Sequence, residues 1–366
     1  MKVKSVEAFP VSIPLKNPFK IALGTMTHSP HAIVKLTLEN DMVGWGEAST
    51  WHAVYGCDQH MLVWVIKNYL GSAIVGKEIF QIEHVIEKMD RVIPENSMAK
   101  AGVEIALCDA WAKCLKTPLH RLIGGALRDT LPVIEGVDII DPKEASAKAV
   151  KYVEQGFQCI KVKIGLDPNE DIERVAEVRR AVGEKVLIRV DANQGYDRSS
   201  ALKVCRAMER FSLQWIEQPL AHWDIEGLAK LAKVIETPIA LDESVCTVQD
   251  AYQVIKAGAA DVINIKISKC GGILKSKKIA AIAESAGIPC FLGSCLETGI
   301  GTTAGLQFAA SCSNLDPHIE LVGSGYYIDD IIFNPPIPKA GHHSLPTING
   351  IGVEVDEEKL KKYSQG

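Results

Sequence analysis

Cys159-Ile160-Lys161-Val162-Lys163-Ile164-Gly165 is the stretch on which the reading of this chain turns. It is short and mostly apolar, the pattern of a strand buried on both faces, as in a parallel sheet. Pro168 to Val182 then reads as a helix, and the next apolar run is Val186 to Asp191. The alternation continues in both directions. Candidate strands are Leu131 to Val137, Cys159 to Ile164, Val186 to Asp191, Gln214 to Glu217, Pro238 to Asp242, Asp261 to Lys266, Pro289 to Gly293 and His318 to Leu321. Helical periodicity lies between them, for example at Ser199 to Phe211, Val248 to Ala257 and Ile273 to Ala286. Eight β-then-α units predict an α/β fold, a (β/α)8-type barrel of the modified TIM kind. The rival, an open doubly wound sheet, would want a Gly-x-Gly-x-x-Gly turn after an early strand, and the chain has none.

The part before the barrel reads differently. Val3 to Pro14 and His31 to Leu38 are β-branched and predict strands, the second running on to Gly44-Trp45-Gly46-Glu47. Gly24 to Pro30 reads as a polar loop between them, and Ser49 to Gly56 as a second loop carrying Trp51, His52 and Tyr55. From Asp58 to Lys116 the period is helical until Thr117-Pro118 stops it, and Gly124-Gly125 ends the block. The expected organisation is an α+β domain over residues 1–125, a barrel over 126–324, and a Pro-rich tail from about 325 to 366. The tail has a strand-like piece at Gly352 to Val355 and returns to the first domain.

Of the 366 residues, 47% are hydrophobic and 23% charged, which suits a globular chain with a large core. A net charge of −5 argues against a general nucleic-acid or membrane-surface binder. The ten cysteines form no Cys-x-x-Cys pair, so a reduced, cytoplasmic setting is expected. No signal core stands in Met1 to Asn17, and no apolar run is long enough to span a bilayer.

Active sites of such barrels lie at the C-terminal ends of the strands. Read there, the second strand offers Lys161 and Lys163, two apart and so on one side. The third ends in Asp191, followed by Asn193; the fourth in Glu217; the fifth in Asp242; the sixth in Lys266. A single strand-end carboxylate is ordinarily a helix cap or a loop salt bridge. Three on neighbouring strands repel one another unless something neutralises them, and a hard divalent cation with oxygen ligands, Mg2+ or Mn2+, does so. A substrate carboxylate on that cation would have its α-carbon between Lys163 and Lys266. The enediolate left by loss of the α-proton would be stabilised by the metal acting as a Lewis acid. Lys161, beside Lys163, would lower its neighbour's proton affinity towards neutrality.

With these residues in place, the chain resembles the enolase superfamily, and within it the muconate-lactonizing subgroup. The motifs that carry the resemblance are Lys161-Val-Lys163, Asp191-Ala-Asn193-Gln194-Gly195, Trp215-Ile-Glu217-Gln218-Pro219, Asp242-Glu243-Ser244, and Asn264-Ile-Lys266 before Gly271-Gly272. The resemblance covers nearly the whole chain, from Val3 to about Val355. The resemblance implies Asp191, Glu217 and Asp242 as ligands of Mg2+ (or Mn2+), Lys163 and Lys266 as the acid/base pair, and Lys161 as the residue tuning Lys163. It also implies a first domain that caps the barrel, and a homo-oligomer acting on a small carboxylate. The two loops of the cap would close over the substrate, making His28, His31, Trp51 and Tyr55 candidate contacts, with Asn193 and Glu297 from the barrel.

The loop after the seventh strand, Gly293-Ser294-Cys295-Leu296-Glu297-Thr298-Gly299, carries no histidine, which separates the chain from the mandelate-racemase-like branch. Dipeptide epimerases of the subgroup tend to carry Asp-x-Asp after the eighth strand; here the stretch is Ile319-Glu320-Leu321-Val322-Gly323. The first expectation is therefore a muconate-type cycloisomerase. Racemisation of N-acylated amino acids or epimerisation of dipeptides follows, and then dehydration of a small hydroxy acid.

Overall fold

The computed structural model describes residues 1–364; the last two residues of the expected tail lie outside the described residues. The chain opens with three antiparallel strands, β1 (Val3–Ile21), β2 (Gly24–Leu38) and β3 (Val43–Ser49), in the order β1-β2-β3. Here the expected loop at Gly24 to Pro30 is corrected. Those residues are strand, pairing Met26 with Phe19, His28 with Pro14 and Ser29 with Ile13, so β1 and β2 form one long hairpin. Tertiary contact overrode the polar composition: Met26 and Ser29 are buried against the rest of the protein, while Thr25, Thr27 and His28 are exposed.

Both faces of this sheet are covered. Val34, Leu36 and Leu38 join the core under the helices, whereas Ile33, Val11 and Ile13 join the barrel core. Helices α1 (His52–Tyr55), α2 (Gln59–Val65), α3 (Gly71–Ile74), α4 (Ile82–Val92) and α5 (Ser97–Cys114) follow, with a π-helical segment at Ile66–Leu70. Along α5, alanine and glycine let the helix lie flat on β3. A Cβ on Gly46 would stand 2.0 Å from the Gly102 carbonyl oxygen, so only glycine permits this approach.

The barrel begins at β4 (Thr130–Pro132) and β5 (Glu135–Val137), the one strand expected over Leu131 to Val137 being broken in two. Then come α6 (Pro142–Glu154), β6 (Cys159–Lys163), α7 (Pro168–Val182), β7 (Leu187–Asp191), α8 (Arg198–Met208), β8 (Ile216–Glu217), α9 (Ile225–Ala232) and β9 (Ile239–Leu241). α10 (Val248–Ala257), β10 (Val262–Ile265), α11 (Ile273–Ser285), β11 (Cys290–Leu292) and α12 (Gly299–Ala310) complete the series. The seven strands β5 to β11 form one sheet in sequence order; the neighbours pair in parallel. The eighth position, expected as a strand at His318 to Leu321, holds an irregular segment. It still closes the ring: Glu320 N–H donates to Leu292 on one side, while Ile319 exchanges backbone hydrogen bonds with Pro132 and Ile134 on the other.

After α13 (Gly323–Tyr326), β12 (His342–Ser344) pairs with β4, and α14 (Glu357–Tyr363) returns to the first sheet through Lys35–Glu357 at 2.7 Å. The strand expected at Gly352 to Val355 is reduced to a single bridge, Val355 to Ile332. Among the described residues no helix is long and apolar enough to cross a membrane.

Candidate active site

Parallel strands deliver their last side chains to one end of the barrel, and the register sets which ones meet. Lys163 pairs with Asp191, and Asp191 with Glu217. Lys161 and Lys163 do point the same way: Lys161 Nζ lies 3.0 Å and Lys163 Nζ 2.6 Å from Asp191 Oδ2. Lys161 also meets Glu217 at 2.7 Å and Glu320 at 2.9 Å. Four strand positions round the ring, Lys266 Nζ bonds Asp242 Oδ2 at 2.6 Å. Lys163 and Lys266 thus face one cavity from opposite sides, each seated on its own carboxylate.

The loops behind these ends are held by their own motif residues. Gln218, beside Glu217, accepts the N–H groups of Asp242 and Ser244, fixing the next strand end. Gly195 lets its loop cross the preceding one, since a Cβ there would lie 2.1 Å from the Gly165 carbonyl oxygen. Asn193 accepts from Lys163 at 3.1 Å and donates to Glu243 at 3.2 Å.

Sequence reasoning missed three participants. Lys269 is fully buried; it pairs with Asp242 Oδ1 at 2.9 Å and donates to the carbonyls of Asp242, Val245 and Asn264. Its signal was a charge three residues after Lys266 in an otherwise apolar and glycine-rich turn. Glu243 and Glu320 are the other two, both buried. Five carboxylates here meet four lysines, leaving one negative charge in excess when all are ionised.

The carboxyls respond individually. Burial opposes ionisation of Asp191, but Lys161 and Lys163 outweigh it and bring it down to about 2. Asp242 is likewise buried, yet Lys266 and Lys269 hold it far below the usual carboxylate range. Burial and the Asp191 charge push Glu217 up to about 8, and burial with Asp242 pushes Glu243 up to about 7. Lys161 is held firmly as an ammonium. Burial works against its charge, but Asp191, Glu217 and Glu320 surround it and raise it well above an ordinary lysine.

The cap completes the cavity. Trp51 and Tyr55 line it, and the Tyr55 hydroxyl lies 3.2 Å from Lys266 Nζ. The inward face of the hairpin adds Phe19, Ile21 and Met26, which sequence reasoning passed over because the tip looked like a polar loop. Three expected contacts are not brought to the cavity. His28 is exposed on the hairpin beside Thr27. His31 is buried beneath it, 3.0 Å from both Glu47 Oε1 and the Tyr327 hydroxyl. Glu297 turns back into its own loop, accepting from Ser294 Oγ and Cys295 N–H.

Comparison with known proteins gives a concordant picture. Residues 144–359 match the family described as Enolase C-terminal domain-like, and residues 3–124 match the Mandelate racemase / muconate lactonizing enzyme, N-terminal domain. An L-Ala-D/L-Glu epimerase of Bacillus subtilis (strain 168) is 39% identical over 96% of this chain and 97% of its own. Muconate cycloisomerase 1 of Rhodococcus opacus is 33% identical over 100% and 99%. The crystal structure of N-succinyl Arg/Lys racemase from Bacillus cereus superposes with a TM-score of 0.97 at 32% identity, covering 100% of this chain and 99% of that one. A dipeptide epimerase from Enterococcus faecalis, complexed with Mg and the dipeptide L-Leu-L-Tyr, superposes with a TM-score of 0.93 at 34% identity, covering 97% and 100%. The chain belongs to the mandelate racemase / muconate lactonizing enzyme family of the enolase superfamily, in the muconate-lactonizing-like subgroup, and is an isomerase.

Proposed function

We propose that the protein moves a proton at the carbon next to a substrate carboxylate, with Lys163 and Lys266 as the two proton carriers, and that its reaction is racemisation or epimerisation of an N-acylated α-amino acid. One observation carries the reading: two ammonium groups reach a single cavity from opposite sides of the barrel, each against a separate carboxylate. Ring closure to a lactone needs a proton delivered to one face only, whereas inversion needs a carrier on each.

Asp191, Glu217 and Asp242 are proposed to hold Mg2+, as the Mg complex of the Enterococcus faecalis relative suggests. The residues fit: three buried carboxylates make a hard oxygen donor set, and two of their oxygens, Glu217 Oε2 and Asp242 Oδ1, are met, among the described residues, only by the ammonium groups of Lys161 and Lys269, at 2.7 and 2.9 Å. Among the described residues no three side chains are already gathered as a metal cage, because lysine ammoniums sit between the carboxylates. When bound, Mg2+ supplies Lewis-acid stabilisation of negative charge on the substrate carboxylate. The chain's own residues do the rest. One lysine takes the α-proton as a neutral amine, and the other, as ammonium, delivers a proton to the opposite face. Lys161 keeps a fixed positive charge beside Asp191 and Glu217. Trp51 and the hairpin exclude water.

The stretch Glu320-Leu321-Val322 places no carboxylate pair for a free ammonium, and Glu320 is occupied by Lys161, which supports a blocked amine over a free dipeptide. Cycloisomerisation of an unsaturated dicarboxylate is the second reading, favoured by the full-length match to the Rhodococcus opacus cycloisomerase. Proton NMR in D2O with Mg2+ separates them. The expected result is deuterium exchange at the α-carbon of N-acyl amino acids with cis,cis-muconate untouched. Monodeuterated lactone without α-exchange would replace the first reading with the second.

A further inference from the structure

A second compartment adjoins the reaction cavity. It is bounded by Lys16, Glu135, Lys148, Tyr152 and Gln155, and it shares Phe19 and Tyr326 with the first. Phe19 and Tyr326 meet with ring centroids 5.8 Å apart and planes tilted by 40°, and form the sill between the two spaces. Neither the proposed proton transfer nor the metal ligands use this compartment.

Its charges are unequally satisfied. Lys148 is paired with Asp138 at 2.6 Å, and Lys16, exposed at the rim, donates to the Gly325 carbonyl. Glu135, deeper in the wall, has neither lysine nor arginine within ion-pair distance among the described residues. Both of its hydrogen bonds, from the Tyr326 hydroxyl at 2.7 Å and Gly136 N–H at 3.2 Å, fall on Oε2. Oε1 has no donor. Burial raises the Glu135 carboxyl above its ordinary value, offset in part by those two donors and by the nearby Lys148 charge; a cation against Oε1 would relieve the remaining cost. Three aromatic rings, Phe19, Tyr152 and Tyr326, line the same space. An unpaired carboxylate oxygen among aromatic faces is the chemistry that recognises an ammonium or guanidinium group.

We propose that this compartment binds the cationic end of the substrate side chain, so that the substrate is an N-acylated basic α-amino acid. Its carboxylate and α-carbon lie between Lys163 and Lys266, and its side chain passes over the Phe19–Tyr326 sill to Glu135. The assignment rests on the proton-transfer reading of the first cavity. The alternative occupant, an anionic group, would meet Lys16 and Lys148 but would also face the Glu135 carboxylate.

The test compares N-acetyl-lysine with N-acetyl-norleucine, which has the same side-chain length without the ammonium. Deuterium exchange at the α-carbon is followed by NMR in D2O with Mg2+ to give kcat/KM for each. The wild-type protein should favour the lysine derivative at least tenfold, and Glu135→Gln should bring the ratio close to one, mainly through KM. Glu135→Asp, which keeps the charge, should retain part of the preference. Equal rates in the wild type, or a ratio unchanged by Glu135→Gln, overturns the assignment while leaving the proton-transfer reading intact. Exchange on neither substrate, while other N-acyl amino acids exchange, overturns it too. No exchange on any carboxylate removes the underlying activity, and this assignment with it.

Discussion

Glu47→Gln tests whether the cap is latched to the barrel by a buried charge. Glu47 lies on β3 and reaches across to the start of α12. There it accepts from Thr298 N–H at 2.9 Å, the Thr298 hydroxyl and Gly301 N–H at 2.7 Å, while Ser49 Oγ and His31 satisfy its other side. Every neighbour is a donor, so a carboxylate fits and an amide does not. Burial opposes ionisation, but His31, Ser49 and Thr298 outweigh it and bring the carboxyl from 4.5 down to about 2. At about 1.4 kcal/mol per pKa unit, that difference is worth about 3 kcal/mol at pH 7. With an unfolding entropy of about 2.1 cal/mol/K per residue, the 366-residue chain would lose about 4 °C of Tm if it unfolds as one unit.

The sign with pH follows from the depressed folded-state value. The contribution is complete above 4.5 and is lost as the pH falls through about 2, leaving about 1 kcal/mol at pH 3. Urea unfolding of wild type and Glu47→Gln at pH 7 and pH 3 measures both numbers. The expected gap is about 3 kcal/mol at pH 7, narrowing by more than half at pH 3. A gap below 1 kcal/mol at neutral pH, or one that does not narrow in acid, would refute the reasoning.

Further expectations concern the site and the packing. Lys163→Ala and Lys266→Ala should each lower racemisation by about 10²–10⁴-fold, and each should still exchange the α-proton of one enantiomer in D2O. Loss of exchange on both enantiomers in either variant would mean the lysines do not serve opposite faces. Mg2+ at a hundred times its Kd should stabilise the fold by about 2.7 kcal/mol. Chelation should abolish turnover, and Asp191→Asn should cancel the Mg2+-dependent rise in melting temperature; a rise that persists in Asp191→Asn would remove that ligand from the site. Gly46→Ala drives a methyl group into the α5 backbone and should cost about 3 kcal/mol in urea unfolding. An undiminished midpoint would show that the sheet and α5 separate freely.

Local chemistry determined what was legible in the sequence. The helices Pro168–Val182 and Val248–Ala257 lie where the periodicity places them, because their ends are set by nearest neighbours: Asp167 and Thr247 cap the first turns and glycines close the last. The repeat of short apolar runs fixes a barrel, and a period of one β/α unit brings Lys163, Asp191, Glu217, Asp242 and Lys266 to one end without any knowledge of loops. What only the tertiary structure decided depended on partners distant in the chain. Met26 faces the cavity because it pairs with Phe19 across a hairpin, although the residues around it are polar. His31 is a buried link between Glu47 and Tyr327, and Tyr327 lies 296 residues away. Glu320 became the third carboxylate around Lys161 only when the ring closed between Leu292 and Pro132. Lys269, a bare charge in a glycine-rich turn, acquired its role from three carbonyls and Asp242. Periodicity and capping are encoded within a few residues of one another, so a linear reading finds them. Which charge meets which is settled by burial, where an unpaired ion costs several kcal/mol, and burial exists only once the chain has folded.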